Sequence, residues 1–274
     1  MILIVSSNKD LASLNIQKQI LDHYNFRETH EKFESNLKYT IKVDEKNVEL
    51  ITLNEESVRA QDLADKFISL ELVIFISRHS SVSGTPTLSV HTPGNLAEAE
   101  LGGIPKTVSI SPANAMREAL KTMTRLKKDM QLNYEVSYEG THHGPSLDVP
   151  TMFAELGSSP QQWNDIKAAE AVAHATMATV QTFGSFPAKA ALGIGGPHYN
   201  SRFTRRALGE ELAFGHMIPK YAVSKIDPNI LRQCIERTME KVEIVILDWK
   251  GIRGEDKAPL VKMLAETDVP FERF

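Results

Sequence analysis

Short apolar runs alternate with amphipathic stretches along the length of this chain. Runs rich in β-branched residues predict strands at Met1–Ser6, Tyr39–Val43, Val48–Thr52, Leu72–Ser77, Lys106–Ile110, Asn133–Tyr138, Ala191–Gly195 and Val242–Leu247. Several are continuous, such as Leu72-Val73-Ile74-Phe75-Ile76, and suit a sheet covered on both faces. The two runs that flank Asp44-Glu45-Lys46-Asn47 predict an antiparallel hairpin. Apolar residues recurring at helical spacing predict helices over Asp10–Tyr24, Ser57–Ile68, Asn114–Met130, Pro160–Thr182, Arg202–Leu212, Asn229–Lys241 and Lys257–Glu266. Ser158-Ser159-Pro160 and Asp227-Pro228 each place a capping side chain ahead of a proline, which marks a helix start. This alternation predicts an α/β fold: a mixed, largely parallel sheet flanked by helices, with residues 1–274 forming a single domain. Arg78–Gly103 carries no clear pattern and reads as a long functional loop.

Composition narrows the classes. No 18-residue apolar run exists, so no membrane span is expected. Met1-Ile2-Leu3-Ile4-Val5-Ser6-Ser7 lacks the basic start and long apolar stretch of a signal peptide. The lone Cys234 has no disulfide partner within the chain and reads as a small buried hydrophobe, so an intracellular, cytoplasmic setting is expected. A net charge of −4 gives no general pull on polyanions, so nucleic-acid binding needs a local patch. Two local patches stand out: Lys121, Arg125, Lys127 and Lys128, and then Arg202, Arg205 and Arg206. Each alone reads first as a solvated helix face.

The candidate chemistry lies in the histidines. Seven of the nine fall between residues 79 and 216, six of them in motifs dense in Gly, Pro, Ser and Thr. Imidazole titrates within the physiological range and is the commonest metal ligand. Arg78-His79-Ser80-Ser81 follows the predicted strand Leu72–Ser77, Thr141-His142-His143 follows Asn133–Tyr138, and Gly195-Gly196-Pro197-His198 follows Ala191–Ile194. Strand ends are where α/β sheets place their sites, so the three motifs are expected to converge. Arg78 and Ser80 are candidates to orient substrate. Glu155, in an apolar setting, reads as a buried hydrogen-bond partner, a metal ligand or a general base with a raised pKa. The amides of Gly195 and Gly196 could hold a phosphate or an oxyanion, with His198, Tyr199, Asn200 and Arg202 beside them. His91 and His216 rank as pocket lining, whereas His174, His23 and His30 read as structural. There is no His-Glu-x-x-His, no cysteine pair, no P-loop and no Gly-x-Ser-x-Gly elbow. A metal site would therefore be assembled from separate loops, with His142, His143, Glu155 and His198 as the candidate ligands.

These motifs resemble those of the archaeal and plant type of D-aminoacyl-tRNA deacylase. The likeness rests on Arg78-His79-Ser80-Ser81, on Thr85 to Asn95, and on Gly140-Thr141-His142-His143-Gly144-Pro145. Phe153-Ala154-Glu155-Leu156-Gly157-Ser158, Gly195-Gly196-Pro197-His198-Tyr199 and Asp248-Trp249-Lys250-Gly251 extend it over essentially the whole chain. The resemblance implies hydrolysis of the ester between a D-amino acid and the 3′-terminal ribose of tRNA. It also implies a zinc requirement and a fold similar to the phosphorylase and peptidyl-tRNA hydrolase group. D-aminoacyl-tRNA is then the partner, with no protein partner implied. His142 or His143 with Glu155 is expected to move the proton of an attacking water, with His79 and His198 beside them. A nucleoside phosphorylase-like or other metal-dependent small-molecule hydrolase, and a non-catalytic tRNA-binding protein, are the competing readings.

Overall fold

The computed structural model describes all 274 residues. In chain order its elements begin with β1 (Ile2–Ser7), α1 (Leu11–His23), β2 (Arg27–Phe33), β3 (Asn36–Val43), β4 (Lys46–Leu53) and β5 (Leu72–Arg78). There follow β6 (Thr87–His91), β7 (Gly94–Asn95), β8 (Thr107–Val108), α2 (Ala113–Asp129), β9 (Glu135–Tyr138) and β10 (Thr151–Gly157). The remainder of the chain holds α3 (Pro160–Trp163), α4 (Ile166–Thr182), β11 (Lys189–Ile194), α5 (Ser201–Gly209), β12 (Leu212–Ile218), α6 (Pro228–Glu236), β13 (Val242–Leu247), α7 (Gly254–Leu264) and β14 (Phe271–Arg273).

Eight strands form the main sheet in the order β2-β3-β4-β1-β5-β10-β6-β9, and β12-β11-β13-β14 form a second sheet. The centre of the main sheet (β4, β1, β5, β10) and the whole second sheet are parallel. The hairpin β3–β4 and the pair β10–β6 run antiparallel. The architecture is thus the mixed, largely parallel α/β arrangement that the alternation predicts. The largest core cluster spans both sheets: it includes Ile4 and Ile74 from one, Phe214 and Ile246 from the other, and Ala171, Val172 and Ala175 from α4. The run of small residues on α4 lets it lie close against α1 and α2, which bury their own apolar faces on it.

Several elements depart from the expectation, each for a local reason. Ser57–Ile68 is two short 3-10 turns, Ser57–Arg59 and Ala64–Lys66, with Ala60 and Leu63 anchored in the core. Between the turns, the Gln61 side chain bonds the backbone of Ser146 in both directions. Pro160–Thr182 divides at Asn164, because Asp165 caps a fresh helix by accepting from Ala168 N. The loop Arg78–Gly103 contains β6 and β7. Lys106–Ile110 contracts to β8, since Ser109 N bonds Pro93 and Ile110 pairs with Pro150 instead. Arg27–Phe33, Thr151–Gly157, Leu212–Ile218 and Phe271–Arg273 are strands that the apolar pattern misses.

Candidate active site

The two-residue period of the strands builds one wall of the site. On β10, Phe153 and Glu155 share a face; register sets Glu155 opposite Ser77 of β5 and Ser89 of β6, and Phe153 opposite His91. Ser77 Oγ donates to Glu155 Oε1 at 2.6 Å. His79, just past β5, brings Nδ1 to 3.4 Å from Glu155 Oε2, while His91 Nε2 lies 3.7 Å from Oε1. Phe153 stacks on His91, centroids 4.9 Å apart and planes 12° apart. Gly157 is required here: a Cβ on it would lie 2.6 Å from that of His79.

A second carboxylate completes the wall, and the motif reading missed it. Glu139 follows β9 and is fully buried. Its Oε2 accepts from His198 Nε2 at 3.0 Å and lies 3.6 Å from His142 Nε2. Its Oε1 is 3.3 Å from His79 Nδ1 and has no hydrogen-bond partner. His198 Nδ1 is 3.1 Å from the Tyr221 hydroxyl. The Tyr199 hydroxyl hydrogen-bonds His79 Nε2. His142 Nδ1 donates to the Gly140 carbonyl at 2.8 Å, which leaves its Nε2 as a bare lone pair towards Glu139. The one sequence signal for Glu139 is its position: a carboxylate at the end of an apolar strand, directly before Gly140.

The charges in this cluster separate. Burial opposes charge on His79 and His91, but Glu155 and Glu139 outweigh it and raise both pKa values. Burial also works against ionisation of the carboxylates, yet His198 and its neighbours hold Glu139 down at about 2, and His79 with His91 hold Glu155 well below its ordinary value. A raised pKa at Glu155 is therefore corrected: two flanking imidazoles keep it ionised. His142 and His143 are neutral; burial and the adjacent imidazoles push His142 far down and His143 to about 4.

His79, His142, His143, Glu155, His198 and Tyr199 line one cleft of about 640 Å³, with Arg78, Ser80 and Arg59 on its rim. Across the wall made by Leu101, His142 and His143 lies a second cleft of about 460 Å³, bordered by Glu98, Glu100 and Tyr221. The four expected metal ligands do not form one group. His142 converges with His91 and Glu139, Glu155 converges with His79 and Glu139, and His143 and His198 belong to neither set. The glycine loop is likewise not an oxyanion hole: Gly195 N donates to Ile218 O and Gly196 N to Gly251 O. Asn200 caps α5 and ties back to Gly195 O. Arg202 pairs with Asp248 and lies over the Phe274 ring, so neither residue faces the cleft. His216 is buried between Thr141 and the Arg237 carbonyl, outside the cleft.

A family profile described as D-aminoacyl-tRNA deacylase matches residues 66–272. The chain belongs to the D-aminoacyl-tRNA deacylase family. A D-aminoacyl-tRNA deacylase of Pyrococcus abyssi is 39% identical over 96% of both chains, and one of Methanococcus maripaludis is 35% identical over 99% of this chain and 98% of its own. A crystal structure of a conserved protein of unknown function superposes with a TM-score of 0.88 at 28% identity, covering 100% of this chain and 95% of that one. The segment matched to the deacylase family contains every histidine and carboxylate of the wall. No helix is long and apolar enough to cross a membrane.

Proposed function

We propose that the deacylase reaction, hydrolysis of the ester between a D-amino acid and the 3′-terminal ribose of tRNA, takes place at the wall formed by Glu139 and Glu155. The larger cleft is of a size to take the terminal nucleotide, with Arg59 placed for its phosphate, whereas Arg78 is held by Glu56 and the Lys9 carbonyl. The second cleft, bordered by Glu98 and Glu100, suits an aminoacyl group with its free ammonium. The observation that carries this reading is the Glu139–His198–Tyr221 chain beside an unpartnered Glu139 oxygen.

Glu139 fixes the tautomer of His198: Nε2–H points at the carboxylate, so Nδ1 is the basic atom. When the Tyr221 hydroxyl turns aside, Nδ1 takes the proton of a water as the water oxygen attacks the ester carbonyl. On the other side, imidazolium His79 strengthens Tyr199 as a donor to the carbonyl oxygen. As the intermediate collapses, Tyr199 gives its proton to the departing ribose oxygen and takes one from His79, which regains it from solvent, to which His198 releases its own. Burial raises the Tyr199 pKa to about 12, so it stays a phenol at neutral pH.

The donor set also fits the zinc that the family resemblance implies. Both His91 nitrogens and Glu139 Oε1 are buried without hydrogen-bond partners, and the His142 lone pair faces a carboxylate, an arrangement a cation relieves. His91, Glu139 and His142 would hold zinc, which when bound supplies Lewis acidity and lowers the pKa of water. The experiment is release of amino acid from D- and L-tyrosyl-tRNA by wild type, Glu139→Gln and His198→Ala, before and after chelation and zinc add-back. Near-normal turnover in Glu139→Gln would overturn the proposal.

A further inference from the structure

Two histidines outside both clefts, His23 and His174, take no part in this chemistry, yet they face one carboxylate. His23 ends α1; Glu170 and His174 stand one turn apart on α4. Glu170 Oε1 lies 3.6 Å from His23 Nε2 and 3.6 Å from His174 Nε2, and the three atoms all fall within 4.8 Å of one another. The two imidazoles are the only ion-pair partners of Glu170. The rings are 5.0 Å apart and tilted by 59°, so they converge on the carboxylate and do not stack.

We propose that His23, Glu170 and His174 bind a divalent transition-metal ion, zinc or nickel in class, that clasps the end of α1 to α4. Ligand atoms at about 2.0–2.2 Å from a tetrahedral zinc stand about 3.4 Å apart, close to the 3.6 Å of both imidazole–carboxylate distances here. With metal on Nε2, His174 carries its proton on Nδ1 and donates it to the Tyr24 hydroxyl 2.7 Å away, the outer contact that orients a ligating imidazole. All three side chains are part-exposed, which leaves an entry path and room for water in the remaining coordination positions. Two ligands come from one helix and one from another, so the ion crosslinks elements distant in sequence. It also stiffens α4, which packs on β10, the strand that carries Glu155.

The test uses the full chain, stripped with chelator and titrated with zinc or nickel against a chromophoric competitor. Wild type should bind one equivalent more than His23→Gln or Glu170→Gln, and Glu139→Gln should retain the equivalent that Glu139→Gln/Glu170→Gln lacks. The second pair separates this site from the catalytic wall, whatever happens there. Metal at a hundred times its Kd should raise the unfolding midpoint of wild type about 5 °C more than that of His23→Gln. Deacylation by His23→Gln should be unchanged, with far-UV circular dichroism confirming its fold. Equal stoichiometry in wild type, His23→Gln and Glu170→Gln would overturn the proposal.

Discussion

The His79 and Glu139–His143 segments of the wall and the Gly195–Asn200 loop all follow strand ends, and both regions combine histidine with glycine. They serve different ends. In the wall, polar atoms are left over: Glu139 Oε1, both His91 nitrogens and His143 Nδ1 are buried without partners. In the loop nearly everything is consumed: the Gly195 and Gly196 amides bond carbonyls, and Asn200 caps a helix. Only His198 and Tyr199 reach from the loop to the wall. Motif density does not distinguish a site from a well-made turn; the accounting of hydrogen bonds does.

The most damaging change to the wall should be Glu139→Gln. It removes the charge that strengthens the His198 hydrogen bond and holds His79 protonated, so kcat/KM on D-tyrosyl-tRNA should fall about a thousandfold. His198→Ala should cost about a hundredfold, and Tyr199→Phe about tenfold, both in kcat. If Tyr199→Phe cost more than His198→Ala, the donor and not the base would carry the larger share of the rate.

The loop should answer in stability instead. Gly195 has φ +105°, and a Cβ on it would meet the Asp248 carbonyl oxygen at 2.7 Å. Gly195→Ala should cost about 2–3 kcal/mol of unfolding free energy, read by denaturant midpoint, while kcat per folded molecule holds. A hundredfold loss of kcat with an unchanged midpoint would erase the distinction between the two regions. Arg202→Gln should do less, about 1 kcal/mol at most, because the guanidinium of its ion pair is more than a third exposed.

His216 gives the most specific effect, because it is read in the pH dependence of stability. Its folded pKa is lowered, chiefly by burial, to about 4. The unfolded imidazole takes a proton near pH 6.5, so between these values the unfolded state binds more protons. This contribution is full above about pH 6.5 and is lost as pH falls towards 4. Between pH 7 and pH 5 it amounts to about 2 kcal/mol. His216→Gln should show a correspondingly shallower fall in unfolding midpoint over that range; equal slopes would refute the assignment.

Much of the fold is visible in the sequence. β1, β5 and the β3–β4 hairpin coincide with apolar runs because those strands are buried or alternate cleanly. β6 and β10 are harder to see. Thr87-Leu88-Ser89-Val90-His91 is polar on the face that builds the wall, and Glu155 interrupts an apolar run for the same reason. β2 is charged on both sides because both faces are largely exposed. His79, His142 and His198 announce themselves by their motifs. Glu139 does not, since a glutamate beside a glycine is ordinary until three imidazoles are found around it.

Glu155 sits mid-strand, locked to Ser77 and paired on both edges, whereas Arg59, Glu98, Glu100 and Leu101 lie in turns or irregular segments. The two carboxylates are held by strand pairing, Glu155 within β10 and Glu139 at a bridge to Tyr199, and the surfaces for choosing a substrate hang from replaceable connections. Such a division lets recognition drift, by insertion or exchange of those segments, while the proton chemistry behind it stays the same. A library confined to residues 96–104 is therefore the place to seek altered amino-acid preference without rebuilding the catalyst.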